Sequence, residues 1–229
     1  MDNQQNSLMI VSGAGAGLGQ SLLRRFDAGG YNVVGLVQTM PKNNDGLDLR
    51  RINMTDAERA SSLINDLIAT YGAPKVVIHN TAQLVIQPFL QTTLDDLEGC
   101  WQSMVQSAFI LAQSVVEPMI KNGGGVFVVS GATASLRGSA RFSAFASAKF
   151  ALRGLTQSLA REYQSQGIHV VHTILDGIID SDRSRQLHNL NPSRMMKPED
   201  IAEVYWQLVH MPQTTWTHEI DLRPSSETF

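Results

Sequence analysis

The stretch that decides the fold is SGAGAGLG, residues 12–19. It follows the apolar run LMIVS at residues 8–12 and opens a helical pattern over residues 17–28. A glycine-rich turn between a strand and a helix leaves backbone N–H groups exposed at the helix N-terminus, where they can hydrogen-bond a phosphate. We interpret this stretch as the phosphate-binding turn of a dinucleotide site; the alternative is a glycine-rich loop that binds nothing.

The three glycines have separate roles in this interpretation. Gly13 permits the tight turn, Gly17 lets backbone amides approach a pyrophosphate, and Gly19 allows the helix to lie close to the strand. Ser12 precedes Gly13 and Leu18 lies between Gly17 and Gly19, and we expect both to contact the nucleotide.

Outward from this turn, short β-branched runs alternate with longer helical patterns along the chain. The predicted strands lie at residues 8–12, 31–38, 74–79, 125–130, 168–175 and 216–222, and further helices are predicted at residues 56–70, 93–121, 142–165 and 198–209. This alternation is typical of a parallel sheet with crossover helices. We expect one α/β domain over residues 1–229: a Rossmann-type doubly wound parallel sheet of about seven strands, with helices on both faces and the ligand crevice at the carboxyl ends of the strands.

Several predicted helices have recognisable ends. Thr93 and Asp96 form a capping box, Pro198 suits a first helical position, and Gly123 and Gly167 fit helix exits. The polar stretch at residues 181–197 is long enough to be a mobile loop, and its position predicts a substrate lid.

Composition narrows the classes of partner. The net charge of −3 gives no basic excess for nucleic acid, and no apolar stretch is long enough for a membrane span. Cys100 is the only cysteine, which excludes an internal disulfide; His79, His169 and His172 lack metal-ligand spacing, so we expect no metal. Residues 1–7 lack the features of a secretory signal, and we expect a cytoplasmic protein.

The spacing Gly-x-x-x-Gly-x-Gly resembles the short-chain dehydrogenase/reductase family. HNTA, residues 79–82, is similar to the family's Asn-Asn-Ala-Gly and keeps Asn80. DGIIDS, residues 176–181, is similar to its Pro-Gly-x-x-x-Thr, keeping Gly177 and replacing the threonine by Ser181. Residues 145–170 resemble the family's central helix and the strand after it.

The resemblance implies NAD or NADP as cofactor. Gln38 stands where an acidic residue of the family binds the adenosine ribose, and no carboxylate occurs at residues 37–39. Lys42 could reach a 2′-phosphate or could be an ordinary surface lysine. Asn53 stands where aspartate usually lies beside adenine. The choice between NAD and NADP therefore stays open.

The resemblance also implies a catalytic set, most of which is replaced. The family's tyrosine maps to Phe145, its serine to Ala132 and its asparagine to Met104. Phe142 occupies the second position at which the family's enoyl reductases have tyrosine. Only Lys149 keeps its usual residue, and it is expected to bind the nicotinamide ribose.

Two residues could replace the missing groups. Thr133 is the nearest substitute for the serine, better placed than Ser130 or Ser135. Asp176, where proline is usual, could bind the carboxamide, act as a base or cap its loop.

These observations leave three hypotheses. The first is an oxidoreductase that transfers a hydride to or from a small carbonyl or alcohol substrate with an altered proton donor. The second is a catalytically inactive dinucleotide-binding sensor or partner subunit, and the third is a purely structural subunit. The resemblance also implies a homodimer or homotetramer built through helices 93–121 and 142–165.

Overall fold

The computed structural model describes residues 6–44 and 46–227. Within them the strands are β1 Leu8–Ser12, β2 Asn32–Val37, β3 Leu49–Arg51, β4 Val76–His79, β5 Gly125–Ser130, β6 Ile168–Leu175 and β7 Glu219–Leu222. The α-helices are α1 Leu18–Asp27, α2 Ala57–Tyr71, α3 Leu94–Trp101, α4 Ser107–Lys121, α5 Ser143–Tyr163, α6 Asp182–Leu187 and α7 Pro198–Val209. Five short 3₁₀ turns occur among the described residues, at 89–91, 133–135, 164–166, 192–194 and 213–215.

The seven described strands form one parallel sheet in the order β3-β2-β1-β4-β5-β6-β7. The central strand β1 pairs with β2 on one side and with β4 on the other, so that Ser12 lies opposite both Leu36 and His79. From β1 the strand order continues through β2 and β3 on one side and through β4 to β7 on the other. This reversal of order leaves a crevice at the carboxyl ends of β1 and β4. The expected doubly wound α/β fold is confirmed.

Helices cover both faces of the sheet because its strands are apolar on both sides. Leu8 and Ile10 belong to an apolar cluster with α2, α4 and α5, whereas Met9 and Val11 belong to a second cluster with α1 and α7. Successive strand side chains point to opposite faces, so a continuous apolar run supplies both clusters. This packing holds the strand ends, and the turns after them, in a fixed relation.

The predicted element bounds agree with the structure in part. The strands at residues 8–12, 125–130 and 168–175 and the helix at 198–209 have the predicted bounds, and most others differ by one or two residues at an end. The last strand is shorter than predicted and begins at Glu219. Strand β3 has no position in the prediction, because its three residues LRR carry two charges and show no apolar alternation.

The predicted helix over residues 93–121 is divided. A π-helical turn, Gln102–Gln106, separates α3 from α4. Inside it, the Ser103 carbonyl accepts hydrogen bonds from the hydroxyls of Thr81, at 2.6 Å, and Ser107, at 2.5 Å. These side-chain donors satisfy a carbonyl of the widened turn, a local feature that hydrophobic periodicity does not indicate.

The predicted helix ends are confirmed. The Thr93 hydroxyl accepts from the backbone N–H of Asp96, whose carboxylate accepts from the N–H of Thr93. Pro198 begins α7, and Gly123 and Gly167 have positive φ after α4 and α5.

Two further predictions concern the proposed lid and the N-terminal stretch. Residues 181–197 contain the helix α6 and a 3₁₀ turn at Pro192–Arg194, so the stretch has secondary structure of its own. Of the stretch 1–7 that we interpreted as unlike a secretory signal, residues 1–5 lie outside the described residues. No helix in the described part of the chain combines the length and the apolar character needed to cross a membrane.

Candidate active site

The turn after β1 is held by close backbone contacts. Gly13 has φ +86°, and the N–H groups of Gly13 and Ala14 donate to the Leu36 carbonyl at 3.0 and 3.2 Å. A Cβ on Gly13 would lie 2.7 Å from the carbonyl carbon of Asn80, and one on Gly19 would lie 2.4 Å from the Gly13 carbonyl oxygen. Glycine is therefore required at both positions by neighbouring backbone.

Gly17 differs because no backbone atom crowds it. Its φ is +95°, and the nearest atom to an added Cβ is the Ser181 Cβ at 3.8 Å. The first N–H groups of α1 lie just beyond it, so the turn forms an uncovered cradle at a helix N-terminus. Leu18 is buried in the core, so only its backbone is placed to contact a ligand. The residues present fit the pyrophosphate of a dinucleotide.

Three neighbours complete this end of the crevice. The Asn80 side-chain amide donates to the Gly13 carbonyl at 3.2 Å, and the Asn80 backbone N–H donates to the Ser12 carbonyl at 2.8 Å. Ser12 Oγ is buried without a hydrogen-bond partner. Ser181 caps α6 by accepting from the N–H of Ser184 at 3.1 Å.

The residues assigned to the adenosine end lie on neighbouring strand ends. Gln38 and Lys42 are exposed beyond β2. Ile52 N–H donates to the Val37 carbonyl at 2.8 Å, which places Asn53 beside Gln38. The Asn53 side-chain oxygen accepts from the N–H and hydroxyl of Thr55 at 3.1 and 2.9 Å. That oxygen is thus occupied in the turn before α2.

Lys149 lies deep in the site on α5. It is 2% exposed, and its ammonium donates to the Ser130 carbonyl at 2.8 Å. Burial lowers the pKa of this ammonium to about 8, because the charged form loses water. Phe145, one turn earlier on α5, places its ring centre 5.7 Å from the ammonium nitrogen.

The three positions to which the resemblance assigns the family's other catalytic residues are apolar. Met104 is fully buried, Phe145 is 9% exposed and Ala132 is half-buried. Phe142 packs edge-on against Phe145 at 6.4 Å between ring centres. This part of the site therefore has an apolar wall with no side-chain proton donor of its own.

The hydroxyls near Ala132 point in different directions. Ser130 Oγ lies 2.9 Å from the Tyr205 hydroxyl on the opposite face of the sheet. Ser135 Oγ accepts from the backbone N–H of Ala132 at 3.2 Å. Thr133 alone of these three donates to a carboxylate, that of Asp176.

Asp176 therefore joins three segments of the chain. Its Oδ1 accepts the Thr133 hydroxyl, its Oδ2 lies 3.3 Å from the Arg223 guanidinium, and its N–H donates to Leu222 at 2.8 Å. Arg223 also contacts Asp221. The next residue, Gly177, is confined by Pro224, whose Cδ would lie 2.7 Å from an added Cβ. Sequence reasoning missed Arg223, although a basic residue directly after the last strand was a signal available for it.

A second group that the sequence interpretation missed lies behind Lys149. His79 Nε2 lies 2.8 Å from the Ser107 hydroxyl and 2.7 Å from that of Thr81. Both hydroxyls donate to the Ser103 carbonyl, so we assign the ring proton to Nε2 as donor to them. Burial, and then the charge of Lys149, lower the pKa of His79 to about 3, so the ring is neutral.

The polar side chains of the site do not include a metal-binding set. Within residues 6–44 and 46–227, no three histidine, cysteine, aspartate or glutamate side chains are grouped so that they could hold a metal ion. The chemical groups available are an anion cradle, a buried amine and the Thr133–Asp176 pair.

Comparison with known proteins identifies related chains. A family model described as short chain dehydrogenase matches residues 7–191. The reductase named 3-oxoacyl-(acyl-carrier-protein) reductase FabG from Salmonella typhimurium is 26% identical over 193 residues, which cover 80% of this chain and 78% of that protein. An uncharacterized oxidoreductase from Thermotoga maritima is 27% identical over 205 residues, covering 85% of this chain and 81% of the relative.

Solved structures agree with these matches. A short-chain dehydrogenase from Rhodopseudomonas palustris superposes with a TM-score of 0.81 at 30% identity, covering 96% of this chain and 99% of that one. The NADP-bound structure of ElxO superposes with a TM-score of 0.84 at 16% identity, covering 95% of this chain and 98% of the other. At 16% identity, the likeness to ElxO concerns the fold alone.

Proposed function

Because the chain belongs to the short-chain dehydrogenase family, we propose that it is an oxidoreductase that binds NAD or NADP in the turn at residues 12–19. The reaction is hydride transfer between the nicotinamide and a small carbonyl or alcohol substrate. The observation that supports it most directly is the cradle at Gly17, left uncovered while Gly13 and Gly19 are packed against backbone.

The bound cofactor supplies the hydride donor or acceptor; the chain binds and orients it. The N–H groups at the start of α1 bind the pyrophosphate, with Ser12 and Ser181 beside it. Asn80 holds the turn through its hydrogen bond to the Gly13 carbonyl. Gly177 leaves room for Pro224, so that the segment after β7 can approach the nicotinamide end. Gln38 and the side-chain amide of Asn53 contact the adenosine.

The proton is handled by residues other than the family's tyrosine. Lys149 binds the ribose of the nicotinamide with the two ammonium protons that Ser130 does not accept. Thr133 contacts the substrate oxygen, and Asp176 exchanges a proton through Thr133. Ala132 is the half-buried member of the apolar wall and the one that a substrate can reach, which favours an apolar substrate group on that side.

A second candidate is a nucleotide-binding protein without turnover, acting as a sensor or partner subunit. The apolar wall favours it, because removal of one general acid–base group commonly costs about 10²–10⁴ in rate. Met104 and Phe145 are also well buried, so the wall is packed as apolar core.

Nucleotide binding is tested by titrating NADH and NADPH and following nicotinamide fluorescence. We expect saturable binding by the native chain and none by Gly17→Val, whose side chain excludes the pyrophosphate. Gly138→Val is the matched control, since an added Cβ there meets no atom within 4 Å. Absence of binding by the native chain would eliminate both candidate functions.

Turnover separates the two candidates. The native chain and the double variant Phe145→Tyr with Ala132→Ser are assayed with short aldehydes, ketones and a 3-oxoacyl thioester, the compound class in the FabG relatives' name. Activity of the native chain supports the oxidoreductase. Activity of the double variant alone supports the nucleotide-binding protein without turnover.

Two further expectations belong to this proposal. Residues 181–197 act as a lid, since Ser181 at their start lies beside Gly17.

The chain forms a homodimer or homotetramer through an apolar stripe on α3, α4 and α5. The stripe consists of Leu94, Leu97, Trp101, Phe109 and Phe150, each 40–75% exposed.

A further inference from the structure

We infer that Thr133 and Asp176 form a proton-relay pair that, with the carboxylate ionised, accepts the hydroxyl proton of an alcohol substrate. The inference rests on the proposed function and specifies the substrate class and the protonation state of the pair that binds it.

The direction of one hydrogen bond carries the argument. Thr133 has a single hydroxyl proton, and it is donated to Asp176 Oδ1. Thr133 Oγ1 therefore has only lone pairs left for a ligand. A substrate that brings its own O–H can donate to it, whereas a carbonyl oxygen receives nothing from it.

The second oxygen of the Asp176 carboxylate faces a cation, which favours the ionised, accepting form. Asp176 is 8% exposed, and its Oδ2 faces Arg223 at 3.3 Å. Arg223 in turn contacts Asp221. The backbone N–H of Asp176 donates to the Leu222 carbonyl, which fixes its Cα beside β7, and the carboxylate itself is oriented by Thr133 on one oxygen and Arg223 on the other.

The proton and electron balance follows from this arrangement. The alcohol carbon loses a hydride to the oxidised nicotinamide, and the alcohol O–H proton moves to Thr133 Oγ1. The proton that Thr133 held moves to Asp176 Oδ1. The products are a carbonyl compound, the reduced cofactor and a protonated carboxyl, which returns its proton to water after release.

The test uses ligand-observed NMR of the full chain with NAD⁺ or NADP⁺, whichever binds. The probes are trifluoroethanol, which donates an O–H, and dimethyl sulfoxide, which only accepts. We expect saturation transfer to trifluoroethanol that Thr133→Val reduces several-fold and Thr133→Ser restores, with dimethyl sulfoxide unaffected by either change.

The control is Thr93→Val, which removes a comparable hydroxyl–carboxylate contact, Thr93 to Asp96 at 2.8 Å, on the surface of α3. Melting temperatures verify that each variant is folded. An equal trifluoroethanol signal in the native chain and Thr133→Val overturns the inference, as does a dimethyl sulfoxide signal that depends on Thr133. The proposed function fails separately, by the absence of nucleotide binding.

Asp176 acts through Thr133 and is tested as a positioning residue. With any alcohol that is oxidised, Asp176→Asn is expected to lower kcat by about 10²–10⁴ while KM changes less than threefold. A parallel rise in KM with unchanged kcat would make the contact merely structural and contradict the inference.

Discussion

Gly13 and Gly15 lie in the same turn, two residues apart, yet their surroundings differ. An added Cβ would collide with the backbone of Asn80 at Gly13 and would meet nothing within 4 Å at Gly15. We expect Gly13→Ala to lower the free energy of unfolding by roughly 2–4 kcal/mol, from the positive φ and the overlap together. Gly15→Ala is the control and should change it by less than about 0.5 kcal/mol. Urea denaturation measures both, and equal losses would contradict the contact.

His79 makes stability depend on pH. The folded ring has a pKa of about 3, below its ordinary 6.5, so between these values the unfolded chain binds a proton that the folded chain does not. The free energy of unfolding must then fall as the pH drops below 6.5, by about 2 kcal/mol at pH 5. His172, whose pKa is lowered to about 4, adds a loss of the same sign.

The measurement is urea denaturation at pH 7 and pH 5. His79→Asn keeps a side-chain N–H donor but cannot titrate, so we expect it to lose less stability between the two pH values than the native chain. His188→Asn, in the predicted lid, should retain the full dependence. Identical pH dependence in the native chain and His79→Asn would refute the role of His79.

For single residues, the sequence predicts backbone requirements better than it predicts side-chain partners. The roles of Gly13 and Gly19 follow from the spacing of a local turn, and their close contacts agree. The bond of Thr133 to Asp176 joins residues 43 apart, and Arg223 reaches Asp176 from a third segment. Such contacts depend on the register of β5, β6 and β7, which side-chain periodicity does not specify.

Helix α3 depends on its first turn more than its length indicates. It has eight residues, and the Thr93–Asp96 capping box satisfies two backbone groups at its start. We expect Thr93→Ala to cost about 1 kcal/mol in chemical denaturation. Thr70→Ala is the comparison, because the Thr70 hydroxyl donates to Asp66 within α2 and caps nothing. A loss for Thr70→Ala as large as for Thr93→Ala would refute the cap's contribution.

Element boundaries were predictable where apolar periodicity is strong. β5, β6 and α7 have apolar patterns and end at recognisable residues, whereas β3 has one apolar residue among three. The π-helical turn Gln102–Gln106 escaped prediction because the hydroxyl of Thr81, from a different segment, supports it. Tertiary contacts decide these elements, and local pattern does not.

The apolar stripe makes a prediction about assembly. Trp101 belongs to the stripe and is 48% exposed. If copies of the chain associate there, a charge at this position must be desolvated in the interface. We expect Trp101→Asp to lower the sedimentation-derived mass to that of one chain at micromolar concentration. Leu187→Asp, on α6 away from the stripe, should leave the mass unchanged. A native chain that sediments as a monomer would contradict the assembly.

The strand order also has a consequence for synthesis. β1 forms hydrogen bonds with β2 and with β4, yet residues 8–51 leave the ribosome before residues 76–79 emerge from it. For that interval a nascent β1–β2–β3 ribbon presents the bare apolar edge of β1, which can pair with the wrong strand. Translation pauses within that interval therefore lower the yield of folded chain without altering the stability of molecules already folded.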